Sequence, residues 1–278
     1  MLEHVYLIPI LPFVTAFLIV FLGKEGPHSK MPFLGLGVMG WCLLQAACIL
    51  AQAMTGAVEL PYYKTVPWFT FGDFEMTLGV LIDGQSAFVL FVVTLVSFLV
   101  QLYSLGYMHG DPRFKRYYAY LSLFTSAMLG LVVSSNLLTL FACWELVGLA
   151  SYLLIGFWFE KPGPAYASKK AFMTTKLGDC GLYIGLLLLF ASQGTFDIQM
   201  LQFRVAEGMM PLEVATGVGL GFLFAAMGKS AQLPLFIWLP DAMEGPTPVS
   251  ALIHAATMVV AGIYLIARTI FIFDAAPL

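Results

Sequence analysis

Residues 219–266, GLGFLFAAMGKSAQLPLFIWLPDAMEGPTPVSALIHAATMVVAGIYLI, decide the fold. Two apolar runs here reach the length that crosses a bilayer, about 20 residues, yet the first holds Lys229 and the second holds His254. An ionisable side chain at that depth costs several kcal/mol in hydrocarbon, so it faces protein or water rather than lipid. Pro234, which follows Lys229 by about one turn, supplies no amide hydrogen. The carbonyl of Ser230 loses its helical partner, and the helix is expected to break beside the lysine. Such breaks are tolerated at membrane depth where protein or water satisfies the freed backbone groups. A buried amine at a broken helix points to an ion path.

The rest of the chain has the same character. Of its 278 residues 60% are hydrophobic and 10% are charged, against roughly 25% charged in soluble domains, so the expected class is an all-α, polytopic membrane bundle. A formal charge of −3 gives no basic footprint for nucleic acid. Cys42, Cys48, Cys143 and Cys180 sit in apolar runs without CxxC or Cys/His spacing, which indicates small buried thiols and no metal site. The first residues lack a basic region and a small-residue cleavage site, and read as a retained span.

At about 20 residues per span, eight helices fit: Val5–Gly23, Pro32–Met54, Gln85–Gly106, Tyr117–Ser134, Leu137–Phe159, Ala165–Ser192, Leu212–Leu239, discontinuous at Pro234, and Pro248–Phe273. Residues 1–110 hold the first three helices with an insertion at 57–84; residues 111–278 hold helices four to eight. The insertion mixes Pro and Gly with near-alternating apolar residues, the pattern of a β-hairpin or extended cap outside the bilayer. Asp197–Glu207 is short and charged, which suits a connector at the interface. Lysines and arginines are biased between the two sets of loops: Lys24, Lys30, Arg113, Lys115, Arg116, Lys161, Lys169 and Lys170 fall in odd-numbered loops or the first two turns of the helices that follow them, against Lys64 and Arg204 in the even ones. The positive-inside rule then puts the odd loops in the cytoplasm or its equivalent and the N-terminus outside, in a bacterial plasma membrane or a comparable energy-transducing one.

Few charges remain inside the helices. Glu145 shares its face with Ala142, Gly148, Ser151 and Tyr152, small and polar groups that admit a close neighbouring helix. Lys176 and Asp179 stand one turn apart on one face, free to bond each other or a charge on another helix. Ala225, Ala226 and Gln232 leave room beside Lys229 for water or a carboxylate. Desolvation disfavours a charged amine and a carboxylate favours it, so the arrangement suits a proton relay, although a fixed Lys229–Glu145 salt bridge has the same composition. His254, with Ser250 and Thr257 on its face, is either a relay member able to pass a proton between its two nitrogens or a hydrogen-bonded core histidine.

The segments WELVGLASYLLIGFW (Trp144–Trp158), KKAFMTTKLGD (Lys169–Asp179) and MGKSAQLPLFIWLPDAMEGPTPVSALIHAATMV (Met227–Val259) closely resemble the antiporter-like membrane subunits of respiratory complex I. The similarity is strongest to the largest, distal proton-pumping subunit, and related chains occur in Mrp-type sodium/proton antiporters. The resemblance implies Glu145 as the charge partner in the fifth helix, Lys229 as the buried lysine of a broken seventh helix and His254 as the eighth-helix residue that passes protons inward. Asp179 matches a recurring acid of the sixth helix and Lys176 a supporting charge. Relatives of this kind continue into an inverted repeat with a second broken helix, so the chain is expected to be the first half of such a structure, completed by a C-terminal half or a separate polypeptide.

The expectation is a proton-translocating module of an NADH:quinone oxidoreductase, embedded in lipid among other membrane subunits. It is expected to carry no flavin, iron–sulfur cluster or quinone of its own, since thiolate ligand spacing and a P-loop signal are absent from the sequence. A sodium/proton antiporter subunit, or a membrane module of a hydrogenase or inorganic-carbon uptake complex, remains open at this stage.

Overall fold

A computed structural model describes residues 2–23, 26, 30–72 and 74–276, so Lys24 of the loop-charge count lies outside the described residues. The apolar runs fold as helices close to their expected limits: α1 Leu7–Leu22, α2 Met31–Thr55, α3 Gly84–Tyr107, α4 Phe114–Val133, α5 Leu137–Ile155 and α6 Pro162–Gln193. The charged connector forms a short helix, α7 (Ile198–Ala206), before α8 (Leu212–Lys229). The insertion folds as an antiparallel hairpin, β1 (Tyr62–Phe71) with β2 (Phe74–Ile82), carrying a bulge between Pro67 and Phe69.

The last two helices differ from expectation. The seventh span does not run to Leu239, because α8 ends at Lys229 and the chain continues through 3-10 turns at Leu235–Trp238 and Asp241–Glu244. Its interruption begins before Pro234. Ala231 adopts a left-handed φ of 51°, and the amide of Gln232 donates to the Met227 carbonyl at 3.0 Å, which together form a Schellman-type helix end. The eighth span is divided into α9 (Thr247–Ala255), α10 (Met258–Arg268) and α11 (Ile270–Asp274). At the first division the hydroxyl of Thr257 donates to the Leu252 carbonyl at 2.5 Å, taking a helical acceptor for a side chain.

Among the described residues seven helices are long and apolar enough to cross a membrane, with α9 and α10 counted as one. The helix expected at Tyr117–Ser134 forms as α4 but is outside that set, since Lys115, Arg116, Tyr117, Tyr118 and Tyr120 dilute its first turns. Sixteen of its 20 residues are buried. A helix shielded by protein on all sides does not need a lipid-compatible surface.

Contacts at the two ends of the bundle confirm that α4 crosses it. At one end the α4–α5 turn is bonded both to the hairpin, through Ser135 N–H donating to the Gly79 carbonyl at 3.2 Å, and to the segment before α7, through Leu137 N–H donating to the Phe196 carbonyl at 2.9 Å. Tyr63 of β1 donates to Asp197 at 2.5 Å, and burial together with that carboxylate pushes the phenol up to about 12. At the other end Arg113 pairs with Glu160 at 2.6 Å, and Lys170 pairs with Asp241 at 2.7 Å. Lys115 there donates to the carbonyls of Val20 and Gly23 at the end of α1.

Two further features fix the helices relative to each other. α3 carries Thr94, Ser97, Gln101 and Ser104 on one buried face, where the Tyr118 hydroxyl donates to the Gln101 carbonyl at 2.6 Å and Tyr117 meets Ser104 at 3.1 Å. Arg268 at the end of α10 is 2% exposed in its side chain and pairs with Asp83 at 2.5 Å. Asp83 also caps α3 by accepting from the Ser86 amide at 2.8 Å, so one carboxylate joins α10 to α3.

The division of loops between the ends generates a labelling test. In a cysteine-free background, single cysteines at Lys30 and Lys161 react from one face of oriented vesicles and a cysteine at Lys64 reacts from the other. Reaction of all three from one face would contradict eight crossings.

Candidate functional site

The charged cluster depends first on how closely α6 and α8 approach. A Cβ on Gly178 would lie 2.9 Å from the Gly228 Cα, and one on Gly221 would lie 2.5 Å from the Gly181 carbonyl oxygen. Backbones this close require glycine on both helices, the membrane packing mode that dispenses with bulky side chains. As a result Asp179, one residue beyond Gly178, faces Lys229, one residue beyond Gly228. Their Oδ2 and Nζ atoms are 3.7 Å apart, with side-chain exposures of 4% and 1%.

α5 completes the enclosure. Trp144 Nε1 donates to Asp179 Oδ1 at 2.5 Å, while the Lys229 ammonium lies 5.6 Å from the centroid of the Trp144 ring. One indole therefore holds the carboxylate by hydrogen bonding and the amine by its π face. A methyl group on Gly148 would sit 2.6 Å from Lys229 Nζ, so the glycine makes the space the ammonium occupies. Farther out, Lys176 is ion-paired to Glu145 and lies 3.9 Å from Asp179 Oδ2. The Lys176 and Glu145 side chains are 34% and 27% exposed. Glu145, Lys176, Asp179 and Lys229 thus form a series of alternating charges that leads from a partly exposed pair to a buried one.

Two side-chain hydrogen bonds tie down the helix end beside Lys229. Trp238 Nε1 donates to the Gly228 carbonyl at 2.9 Å, and Ser230 Oγ donates to the Val259 carbonyl of α10 at 2.7 Å. His254 lies beside Trp238, its ring centroid 6.4 Å from the indole in an edge-on arrangement. Its Nε2 is buried and has no hydrogen-bond partner among the described residues, as is true of Lys229 Nζ and Asp179 Oδ2.

Of the residues read from sequence, Glu145, Lys176, Asp179 and Lys229 come together, His254 stands one aromatic ring away, and Pro234 follows the helix end without forming it. The carboxylate within ion-pair distance of Lys229 is that of Asp179 and not that of Glu145. Asp179 wins because the Gly178–Gly228 contact brings α6 nearer to α8, whereas Glu145 is already engaged by Lys176. Trp144 was not singled out in sequence. Its only signal was a large aromatic beside an intramembrane glutamate.

The family model described as NADH:quinone oxidoreductase/Mrp antiporter, TM, matches residues 134–277, which include every one of these residues. The chain belongs to this family. A second model, described as NADH-ubiquinone oxidoreductase (complex I), chain 5 N-terminus, matches residues 68–118. Among curated relatives, NAD(P)H-quinone oxidoreductase chain 5 of Synechocystis sp. is 44% identical over 246 residues, covering 87% of this chain and 36% of the relative. The chloroplastic NAD(P)H-quinone oxidoreductase subunit 5 of Zygnema circumcarinatum is 42% identical over 287 residues, covering 99% of this chain and 40% of the relative. The chain therefore spans about two fifths of the length of these family members. Among solved structures, the Mrp complex from Dietzia sp. aligns with a TM-score of 0.74 at 29% identity, over 94% of this chain and 27% of that one. An archaeal membrane-bound sulfane sulfur reductase shares the fold, with a TM-score of 0.77 at 22% identity over 98% of this chain and 54% of that one.

The double role of Trp144 gives a specific expectation. Trp144→Phe keeps an aromatic face under the ammonium and removes the donor to Asp179, so ion translocation should fall at least about tenfold, in line with roughly 1.5–3 kcal/mol for a hydrogen bond to a charged group, while membrane abundance stays near that of the parent. Unchanged translocation would show that the indole N–H does not position Asp179.

Proposed function

We propose that this chain is a non-redox, proton-translocating membrane subunit of an NAD(P)H-quinone oxidoreductase whose electron transfer occurs in partner subunits. The observation that carries this reading is the charge series Glu145, Lys176, Asp179 and Lys229 ending at an interrupted helix. Buried ionisable groups in membrane helices are retained where they move ions or protons. The gap of 3.7 Å between Lys229 and Asp179 exceeds a hydrogen bond of about 2.7–3.2 Å, so a proton crosses it only when the side chains close up or water enters. A change in the pairing of Glu145 with Lys176 alters the field at Asp179 and hence the charge Lys229 holds. The Trp238 edge and His254 then lead the path from the end of α8 toward α9, and ordered water bridges to the histidine. In this reading the hairpin end faces outward and the Arg113–Glu160 end inward, following the bias of basic residues. A C-terminal half or a separate polypeptide supplies the complementary half of the path.

The 29% likeness to the Mrp complex favours a second reading, a sodium/proton antiporter subunit. Transport that persists in nominally sodium-free medium supports the first and excludes an obligatory sodium exchange.

Substitutions at Lys229 separate a relay from a scaffold. Lys229→Ala removes the titrating amine, while Lys229→Arg retains a charge that is not released at physiological pH. A relay fails with both, by about tenfold or more in pumping rate; a scaffold salt bridge tolerates arginine better than alanine. His254→Ala lowers pumping less, and adding it to Lys229→Ala causes little further loss because the path is already closed. Full pumping by Lys229→Arg in reconstituted complex would contradict the relay.

A further inference from the structure

A cavity of about 550 Å3 opens on the side of the bundle where α1, α4 and α5 meet the hairpin, within the range of roughly 300–1,000 Å3 found for small-molecule sites. Ile10 and Phe13 of α1, Leu78 of β2, Ala127 of α4 and Leu146 of α5 give it apolar walls. Of the polar residues that interrupt them, Lys64 and Thr139 stand out. Lys64 of β1 lines the hairpin end, is exposed, and has no carboxylate at ion-pair distance among the described residues. Thr139 in the first turn of α5 lines the same cavity with a buried hydroxyl that has no hydrogen-bond partner among the described residues.

We propose that this groove binds one acyl chain of an anionic phospholipid, with the headgroup phosphate held by Lys64. The walls face the bilayer at Ile10 and Phe13, which are 46% and 38% exposed. Lipid tails are as apolar as these side chains, so the hydrophobic effect does not choose the occupant, and selection falls to shape and to charge. The α5 wall runs from Thr139 to Leu146, a depth of about 10 Å at 1.5 Å per residue, or about one third of a hydrocarbon core of roughly 30 Å. The upper part of an acyl chain fits that depth while its headgroup stays at the level of the hairpin.

Lysine binds phosphate as a point charge. A zwitterionic headgroup brings its own cation to compete for that phosphate, whereas an anionic headgroup leaves it to Lys64. The site is separate from the charge series, since none of Glu145, Lys176, Asp179 or Lys229 lines it.

The test uses the full chain in its membrane complex, incubated with phosphatidylglycerol carrying a photoreactive diazirine in one acyl chain, or with the matching phosphatidylcholine. Peptide mass spectrometry is expected to find label on the α1, α4 and α5 walls, at least threefold more from phosphatidylglycerol. Lys64→Glu abolishes that preference. Leu78→Trp, at a strand position that is 39% exposed, plugs the mouth and lowers labelling by both lipids at least threefold without impairing assembly. Equal wall labelling by the two lipids, or a preference that survives Lys64→Glu, would overturn the proposal. So would cross-linking of a photoreactive residue at Ile10 to a neighbouring protein chain in place of lipid.

Discussion

An ammonium with 1% of its side chain exposed inside a membrane bundle needs groups around it that replace water, and the placement of α5, α6 and α8 answers that need. Asp179 supplies the opposite charge, Trp144 supplies a π face and Gly148 supplies space. The Asp179 contact depends on the glycine-on-glycine approach of α6 to α8. Replacing Gly178 or Gly228 by any larger residue would push the helices apart and leave both the amine and the carboxylate buried without compensation, which is far more costly than losing an exposed pair.

The interruption after Lys229 is the second constraint. Ending α8 there frees carbonyls at membrane depth, and each must find a donor. Trp238 meets that requirement at Gly228, whose carbonyl accepts from the indole, while the Ser230 hydroxyl ties the same helix end to α10 by donating to the Val259 carbonyl. The eighth span is itself divided at Ala256 and Thr257. Two interrupted spans thus meet around Trp238, which is fully buried, and His254. The Asp83–Arg268 pair and the hairpin contacts hold the opposite ends of these helices in register.

Much of this was legible in the sequence because the bilayer imposes simple rules. Span lengths, the hairpin between α2 and α3, the short connector at α7 and the burial of Lys229 follow from apolar run lengths and from where charges interrupt them. Membership in the antiporter-like family followed from the three segments around Glu145, Asp179 and Lys229, and the family comparisons agree. Helical spacing shows which face a residue occupies but not the height at which two helices cross. The choice of Asp179 over Glu145 as the nearest partner of Lys229 therefore appeared only with the Gly178–Gly228 contact. The division within Ala255–Met258 carries no proline or glycine, and its cause is a side-chain hydrogen bond from Thr257 that a propensity reading does not anticipate. Arg268 carries no local signal, because its partner Asp83 lies far away in sequence.

The claim on which the rest depends is that Glu145 acts on Lys229 through Lys176 and Asp179, as one electrostatic unit. A double-mutant cycle with Glu145→Gln and Asp179→Asn tests it most directly, with proton pumping per quinone reduced as the quantity measured in reconstituted complex. The coupled arrangement predicts that each substitution alone removes most of the pumping and that the double variant is little worse than the poorer single one, a coupling of about 1–3 kcal/mol. Additive losses, or near-normal pumping in Asp179→Asn, would contradict it.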